Sequence, residues 1–182
     1  MTTRQYRDDP SKTTRQYHGE QSKLEGGRGM AEWTTLYQAY NAIYKLAELA
    51  LLPHNLSFPQ LHLLAILKKA DGLITTGEIG QAMVKASQTI TGLVDRLEEP
   101  GFVERVFDRR DRRKTWVRMT EKGERKLAEA FPVGNRLAEE LSAVLTDQEL
   151  QDLQAKLEKL RRATMDRLEA AFASSGMPFR RT

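Results

Sequence analysis

The densest chemistry in this sequence is a short run of arginines between two apolar segments. Arg109, Arg110, Arg112 and Arg113 occupy four of five consecutive positions. Guanidinium groups bind phosphate oxygens in a planar two-point geometry, and they favour the negative potential of a narrow A/T-rich minor groove. From position 101 to 118, seven basic residues stand against three acids, an excess that equals the +4 formal charge of the whole chain. We interpret this run as a nucleic-acid contact; a merely solvated loop is the alternative.

A β-hairpin is the element that must carry these arginines. Phe102–Val106 predicts a short strand, and Lys114–Met119 alternates polar with apolar or aromatic residues, as a partner strand does. Pro100 and Gly101 end the helix that precedes the hairpin.

That preceding helix is predicted over Ser87–Glu98. Ile90, Leu93, Val94 and Leu97 follow helical spacing and form one stripe to be buried. The opposite face is small and polar, which suits a helix lying in a DNA major groove. Gly92 on that face costs a helix interior about 1 kcal/mol relative to alanine, and close approach to another surface is one reason to tolerate it. An ordinary amphipathic helix with a solvated face is the alternative for this helix alone.

This arrangement resembles the winged helix-turn-helix of the MarR family of bacterial transcription regulators. The wing resembles the family's D-x-x-D-R-R signature at Asp108–Arg113, and Leu97–Arg105 resembles its L-x-x-x-G-L-V-x-R turn. Met119–Gly123 resembles the family's L-T-x-x-G helix start, and the resemblance covers roughly residues 32 to 172. The chain departs from the family's pattern just before the recognition helix (Ser87–Glu98), where it has Lys85-Ala86. We therefore expect Ser87 to cap this helix.

The resemblance implies a mainly α fold with a small β-hairpin wing, and N- and C-terminal dimerisation helices. We divide the chain into a disordered tail (1–29), a dimerisation helix (30–56), a winged helix-turn-helix lobe (57–119), C-terminal dimerisation helices (120–174) and a tail (175–182). Met30 is, as a hypothesis, the natural first residue of the protein.

Helix starts are predicted at Ser57, at Thr75 with Glu78, at Thr120, and at Thr146 with Glu149; Leu73-Ile74 is a candidate third strand. Pro132 predicts a bend. A stripe of leucines on the last helix needs a partner surface, either the dimerisation helix at 30–56 or a second subunit; its members are Leu150, Leu153, Leu157 and Leu160.

The proposed contacts with double-stranded DNA fall into three groups. Gln88, Thr89 and Thr91 would read base edges, whereas Ser87, Arg96 and the helix start at Thr76 would hold phosphates. Asp95 either pairs with a wing arginine and fixes the wing's angle, or is solvated. The wing contacts are Arg105, Arg109, Arg110, Arg112, Arg113 and Lys114.

Several function classes are disfavoured. Cysteine is absent, which excludes disulfides and thiolate metal sites, and three scattered histidines do not form a zinc site. No cofactor is predicted, and no catalytic motif supports an enzyme. No apolar run approaches the roughly 20 residues that span a membrane, so we expect a cytoplasmic protein.

A candidate effector site lies in the crevice between the dimerisation helices and the DNA-binding lobe (57–119). The resemblance implies a small phenolic or aromatic carboxylate effector in that crevice; core packing is the alternative for each residue. The candidates are Tyr37, Tyr40, Tyr44, His54, Phe58 and His62. The sequence thus predicts a homodimeric, DNA-binding transcription regulator, a repressor released by such an effector and bound to a pseudo-palindromic operator. A nucleoid-type binder without sequence preference and a winged-helix protein-assembly module are the alternatives.

Overall fold

The computed structural model describes residues 29–107 and 114–175, and these form six α-helices and one small antiparallel sheet. This confirms the predicted mainly α fold with a hairpin. A 3₁₀ turn, Leu52–His54, follows the first helix. The helices are α1 (Met30–Leu51), α2 (Phe58–Ala70), α3 (Thr76–Met83), α4 (Ser87–Glu98), α5 (Glu121–Ser142) and α6 (Asp147–Ser175), and the strands are β1 (Ile74–Thr75), β2 (Val103–Phe107) and β3 (Thr115–Met119).

The helix starts follow from local sequence. Thr75 and Glu78 form the predicted capping box at α3. At α2 the predicted Ser57 cap is confirmed, and Gln60 completes a reciprocal box that the sequence did not predict. Thr146 and Glu149 exchange the same pair of bonds ahead of α6. Each box satisfies two backbone N–H groups that the start of a helix otherwise leaves unpaired.

The start of α4 corrects one expectation. Its N-cap residue is Ala86, which makes no side-chain cap, while Ser87 is the first helical residue. The expected Ser87 cap is therefore wrong. The turn that joins α3 to α4 sets this register, because Val84 adopts left-handed backbone and the Lys85 N–H donates to the Gly80 carbonyl at 2.9 Å.

The sheet has the order β1-β3-β2, with all pairs antiparallel. Val103 pairs with Met119 at the base of the hairpin, and Phe107 pairs with Thr115 at its upper end. The third strand, predicted at Leu73-Ile74, is observed one residue later and pairs Ile74 with Val117.

One apolar core holds α2, α3, α4 and the sheet together. Leu63, Leu64, Ile79 and Val117 are completely buried in it. The turn after α4 is closed by bonds from the Phe102 N–H to the Leu97 carbonyl and from the Gly101 N–H to the Glu98 carbonyl. Gly101 has φ 78°, the left-handed conformation that this type of helix end requires.

The helix after the wing is fixed against that turn. Thr120 accepts the Gly123 N–H at 3.1 Å, and its hydroxyl donates to the Gly101 carbonyl at 2.7 Å. A Cβ on Gly123 would lie 2.0 Å from the Phe102 carbonyl oxygen, so only glycine permits this close approach. From there α5 continues through Pro132, where the expected bend stays a prediction.

The two ends of the described chain leave large apolar side chains exposed. The chain divides into two compact units: the first ends at Ile43 and the second begins at Tyr44. In the first unit, Trp33, Tyr37 and Tyr40 on α1 are each more than half exposed. In the second unit, the stripe on α6 keeps about two-fifths of each leucine exposed; its members are Leu150, Leu153, Leu157 and Leu160.

Candidate nucleic-acid interface

The two faces of α4 differ as the sequence predicts. Ile90, Val94 and Leu97 have no exposed surface, and Leu93 has 3%. This burial confirms the predicted stripe and fixes the rotation of the helix about its own axis. The polar side chains opposite the stripe point to solvent; the exposed residues are Ser87, Gln88, Thr89, Thr91, Asp95 and Arg96.

An arginine from the wing strand fixes α4 to the hairpin. The Arg105 guanidinium pairs with Glu98 through Nη1 and with Asp95 through Nη2 at 2.5 Å. Its Nη2 also donates to the Thr91 carbonyl at 3.3 Å, and the Arg105 backbone N–H donates to Glu98 Oε1 at 2.9 Å. Only 16% of the arginine side chain is exposed. We call these four residues, Thr91, Asp95, Glu98 and Arg105, the helix–wing clamp.

The clamp bears on two sequence expectations. Asp95 pairs with a wing arginine, which is one of its two predicted roles. Arg105, expected among the DNA contacts, has its guanidinium directed at the recognition helix. Glu98 was missed, because nothing in its local pattern marks a carboxylate that receives both a backbone N–H and a guanidinium from a strand seven residues later.

The wing is described only at its base. Glu104 and Arg118 form an exposed ion pair across β2 and β3, and Lys114 is exposed at the start of the return strand. The four arginines that motivated the DNA interpretation lie outside the described residues: Arg109, Arg110, Arg112 and Arg113.

Glu78, at the start of α3, is close enough to Lys114 at the wing base for the lysine charge to affect it. Thr75 donates to the Glu78 carboxylate from its hydroxyl at 2.6 Å and from its backbone N–H at 2.8 Å. These bonds, the hydroxyl first, lower the pKa of Glu78, and the charge of Lys114 lowers it further. Thr76, the expected phosphate contact, is the first helical residue and is partly exposed.

Part of the predicted effector site is brought together within the second unit. The Phe58 ring lies edge-on to Tyr44, with centroids 5.9 Å apart, and is stacked on His62 at 6.2 Å. Burial lowers the pKa of His62, and the charge of Lys85 lowers it further. His54 instead lies with Nδ1 3.0 Å from the Glu129 carboxylate on α5. Tyr37 and Tyr40 are exposed on α1, and their role stays a prediction.

Within residues 29–107 and 114–175, no group of three or more His, Asp or Glu side chains is placed to hold a metal ion. None of the helices described there is long and apolar enough to cross a membrane.

Known proteins share both the sequence and the fold of this lobe. Residues 54–114 match the model of the MarR family. YfiV of Bacillus subtilis, an uncharacterised helix-turn-helix transcriptional regulator, is 30% identical over 109 residues, which are 60% of this chain and 68% of YfiV. This chain belongs to the MarR family. Three other curated relatives are matched over 45%, 51% and 61% of their own length, so the chain spans about half of each.

Solved structures of other transcription regulators have a fold similar to that of this chain. A mutant of Escherichia coli MarR, complexed with operator DNA, superposes with a TM-score of 0.67 at 25% identity, covering 72% of this chain and 94% of that one. The organohalide-sensing regulator RdhR, in its 2,4-dichlorophenol-bound form, gives 0.68 at 20% identity and covers 90% of both chains. The latter likeness shows the fold alone. The chain thus belongs to a family of transcriptional regulators, and its lobe has the winged helix-turn-helix fold of that family.

Proposed function

We propose that this MarR-family chain binds a specific DNA operator as a homodimer and represses transcription until an aromatic effector releases it. The observation that carries the proposal is the recognition helix itself. Its apolar face is fully buried, its polar face is exposed, and the helix–wing clamp fixes its orientation to the wing. A helix held in this way can enter a major groove while the wing follows the neighbouring backbone.

Base reading is assigned to Gln88, Thr89 and Thr91, and phosphate binding to Ser87, Arg96 and Thr76. The amide of Gln88 is of the kind that pairs with adenine in two-point geometry. Lys114 and the wing arginines add phosphate or minor-groove contacts; these arginines are Arg109, Arg110, Arg112 and Arg113.

The homodimer is supported by the exposed leucine stripe of α6. Four leucines at heptad-like spacing remain about two-fifths exposed in a single chain, and such a stripe is stable in water only when another apolar surface covers it. A twofold dimer would present two recognition helices about one DNA turn apart, and hence a pseudo-palindromic site. Leu153→Glu combined with Leu157→Glu should give a monomer by sedimentation, with Val144→Glu, an exposed apolar position off the stripe, as the control.

The experiment that tests DNA reading is selection of bound duplexes from a random library by the purified protein at near-physiological salt. We expect an inverted repeat with half-sites about one helical turn apart. Tight binding without a recovered motif would favour the nucleoid-type alternative, and no binding at all would favour the protein-assembly alternative.

Two substitutions separate helix from wing. Gln88→Ala should relax preference at one base pair of each half-site, at a cost of about 1–3 kcal/mol if the contact is two-point. Arg112→Ala should weaken binding to all duplexes and flatten the dependence of affinity on salt by about one ion. Equal losses from both variants, irrespective of DNA sequence, would contradict the assignment of base reading to α4.

The effector is assigned to the aromatic cluster of Tyr44, Phe58 and His62, with His54, Tyr37 and Tyr40 as further candidates. Stacked rings beside a titratable imidazole suit an aromatic acid or phenol. Benzoate and 2,4-dichlorophenol are suitable probes, the second because RdhR binds it. Either should release DNA from the wild type at a concentration that leaves the Phe58→Ala variant bound. Release that is identical in the two proteins would move the effector elsewhere.

A further inference from the structure

Gly92 lies near the middle of the exposed face of the recognition helix. At about 100° per residue, it is turned roughly 150° from the centre of the buried stripe. A Cβ built on Gly92 meets no atom within 4 Å. Among the described glycines, only Gly29 and Gly101 have positive φ, so the Gly92 backbone would accept any L residue.

The described chain therefore gives no packing or backbone reason for a glycine at this position. The contrast is Gly123, where a Cβ would collide with the Phe102 carbonyl oxygen at 2.0 Å. A helix with glycine in its interior is less stable than the same helix with alanine there, because glycine loses more backbone freedom on folding. A residue that lowers stability without serving the fold is expected where function requires it.

The clamp indicates what lies against Gly92. Arg105 covers the flank of α4 that carries Thr91 and Asp95. Gln88 is exposed, and the space that a Gly92 side chain would take is empty. An α-helix with its side chains is about 10–12 Å wide, close to the roughly 12 Å width of the major groove. The side chain at the innermost point of the helix therefore sets how deeply the helix can lie.

We propose that Gly92 is the point of closest approach between the recognition helix and the base-pair edges. Its missing side chain lets the backbone lie deep in the groove, so that Gln88, one turn earlier, reaches a base edge directly. The specificity of the protein then depends on a residue that makes no polar contact of its own. This inference rests on the proposed base reading by α4.

The test is Gly92→Ala, with Gly92→Leu as a larger step that keeps high helix propensity. Gly92→Ala should raise the Tm of the DNA-free protein by about 2–4 °C, because alanine is the better helix former. The same variant should lose about tenfold or more in affinity for the selected duplex, and Gly92→Leu should lose more. Both should bind a scrambled duplex as the wild type does, since non-specific binding rests on phosphates.

Gly134→Ala is the matched control. It is also a helix-interior glycine, and its Cβ would meet only the Leu61 Cδ2 at 3.4 Å, so DNA binding should not change. The salt dependence of Gly92→Ala should keep the wild-type slope, because no phosphate contact is lost. A flatter slope would mean that the wing has moved, and would overturn the proposal.

The remaining outcomes separate this proposal from the function on which it rests. If the wild type selects an operator and Gly92→Ala binds it equally well, close approach at Gly92 is wrong and base reading by α4 stands. If the wild type selects no sequence, the proposed function and this inference both fall. A variant that is more stable and less selective is the result that supports the proposal.

Discussion

Replacing Arg105 by methionine tests whether this arginine holds the wing or contacts DNA. Methionine keeps an apolar stem of similar length and removes the guanidinium. If Arg105 is a clamp, the DNA-free protein should be less stable. If Arg105 is instead a surface arginine that contacts only a DNA phosphate, the free energy of unfolding should change by no more than about 0.5 kcal/mol.

The magnitude follows from the three contacts of the guanidinium. The Asp95 side chain is 58% exposed, so that ion pair contributes about 0.5 kcal/mol. The Glu98 pair is less exposed, at 37%, and adds about 1 kcal/mol. The 3.3 Å bond to the Thr91 carbonyl is long and adds about 0.5 kcal/mol. The sum is about 2 kcal/mol, or a fall in Tm of about 4–8 °C for a chain of this size.

Thermal unfolding followed by circular dichroism, without DNA, is the assay. Arg118→Met is the control, because Arg118 belongs to the same hairpin but pairs with Glu104 at a site where both side chains are about half exposed. It should lower the Tm by less than about half as much. Arg105→Met with an unchanged Tm, and a salt dependence of DNA binding flatter by one ion, would refute the clamp and restore Arg105 as a phosphate contact.

Three further predictions concern helix ends and titration. Ala86→Ser should stabilise the protein by about 1 kcal/mol in chemical denaturation, because it supplies the cap that α4 lacks. Thr75→Val should cost about 1 kcal/mol at neutral pH, measured in the same way. Since Thr75 lowers the pKa of Glu78, that contribution is complete above the ordinary value of 4.5 and should be lost as pH falls through the folded pKa. The pKa of His62 is lowered from 6.5, so the unfolded chain binds its proton more readily and stability should fall as pH drops below that value; His62→Phe should remove this part of the pH dependence.

What the sequence could predict was local. The stripe of α4 follows from helical period, and the boxes at Thr75 and Thr146 follow from residues three positions apart. The cap at Ser57 follows from its residue type just before the helix. Each such signal is complete within one or two turns of chain. The starts of these helices were accordingly predicted to within one residue.

The contacts that were not predictable join distant positions. The bond between His54 and Glu129 spans 75 residues, and the bond from Arg105 to Glu98 depends on the angle at which β2 leaves the turn after α4. The error at Ser87 has a different, local origin. Its register is set by the left-handed residue Val84 in the preceding turn, and a valine gives no sequence signal for that conformation.

Three residues in the segment from Val84 to Gly92 lower the stability of the fold. Val84 keeps a β-branched side chain in left-handed backbone while 53% exposed, Ala86 leaves α4 uncapped, and Gly92 occupies a helix interior. Glycine at position 84, serine at 86 and alanine at 92 would each stabilise the fold by about 1 kcal/mol. A triple variant, Val84→Gly, Ala86→Ser and Gly92→Ala, should therefore gain about 2–3 kcal/mol, somewhat less than full additivity because the sites are neighbours. If the segment is shaped by DNA, this variant should unfold at higher denaturant concentration yet lose operator selectivity. Greater stability with unchanged selectivity would show that the three residues are neutral drift above a stability threshold, and that the groove does not constrain them.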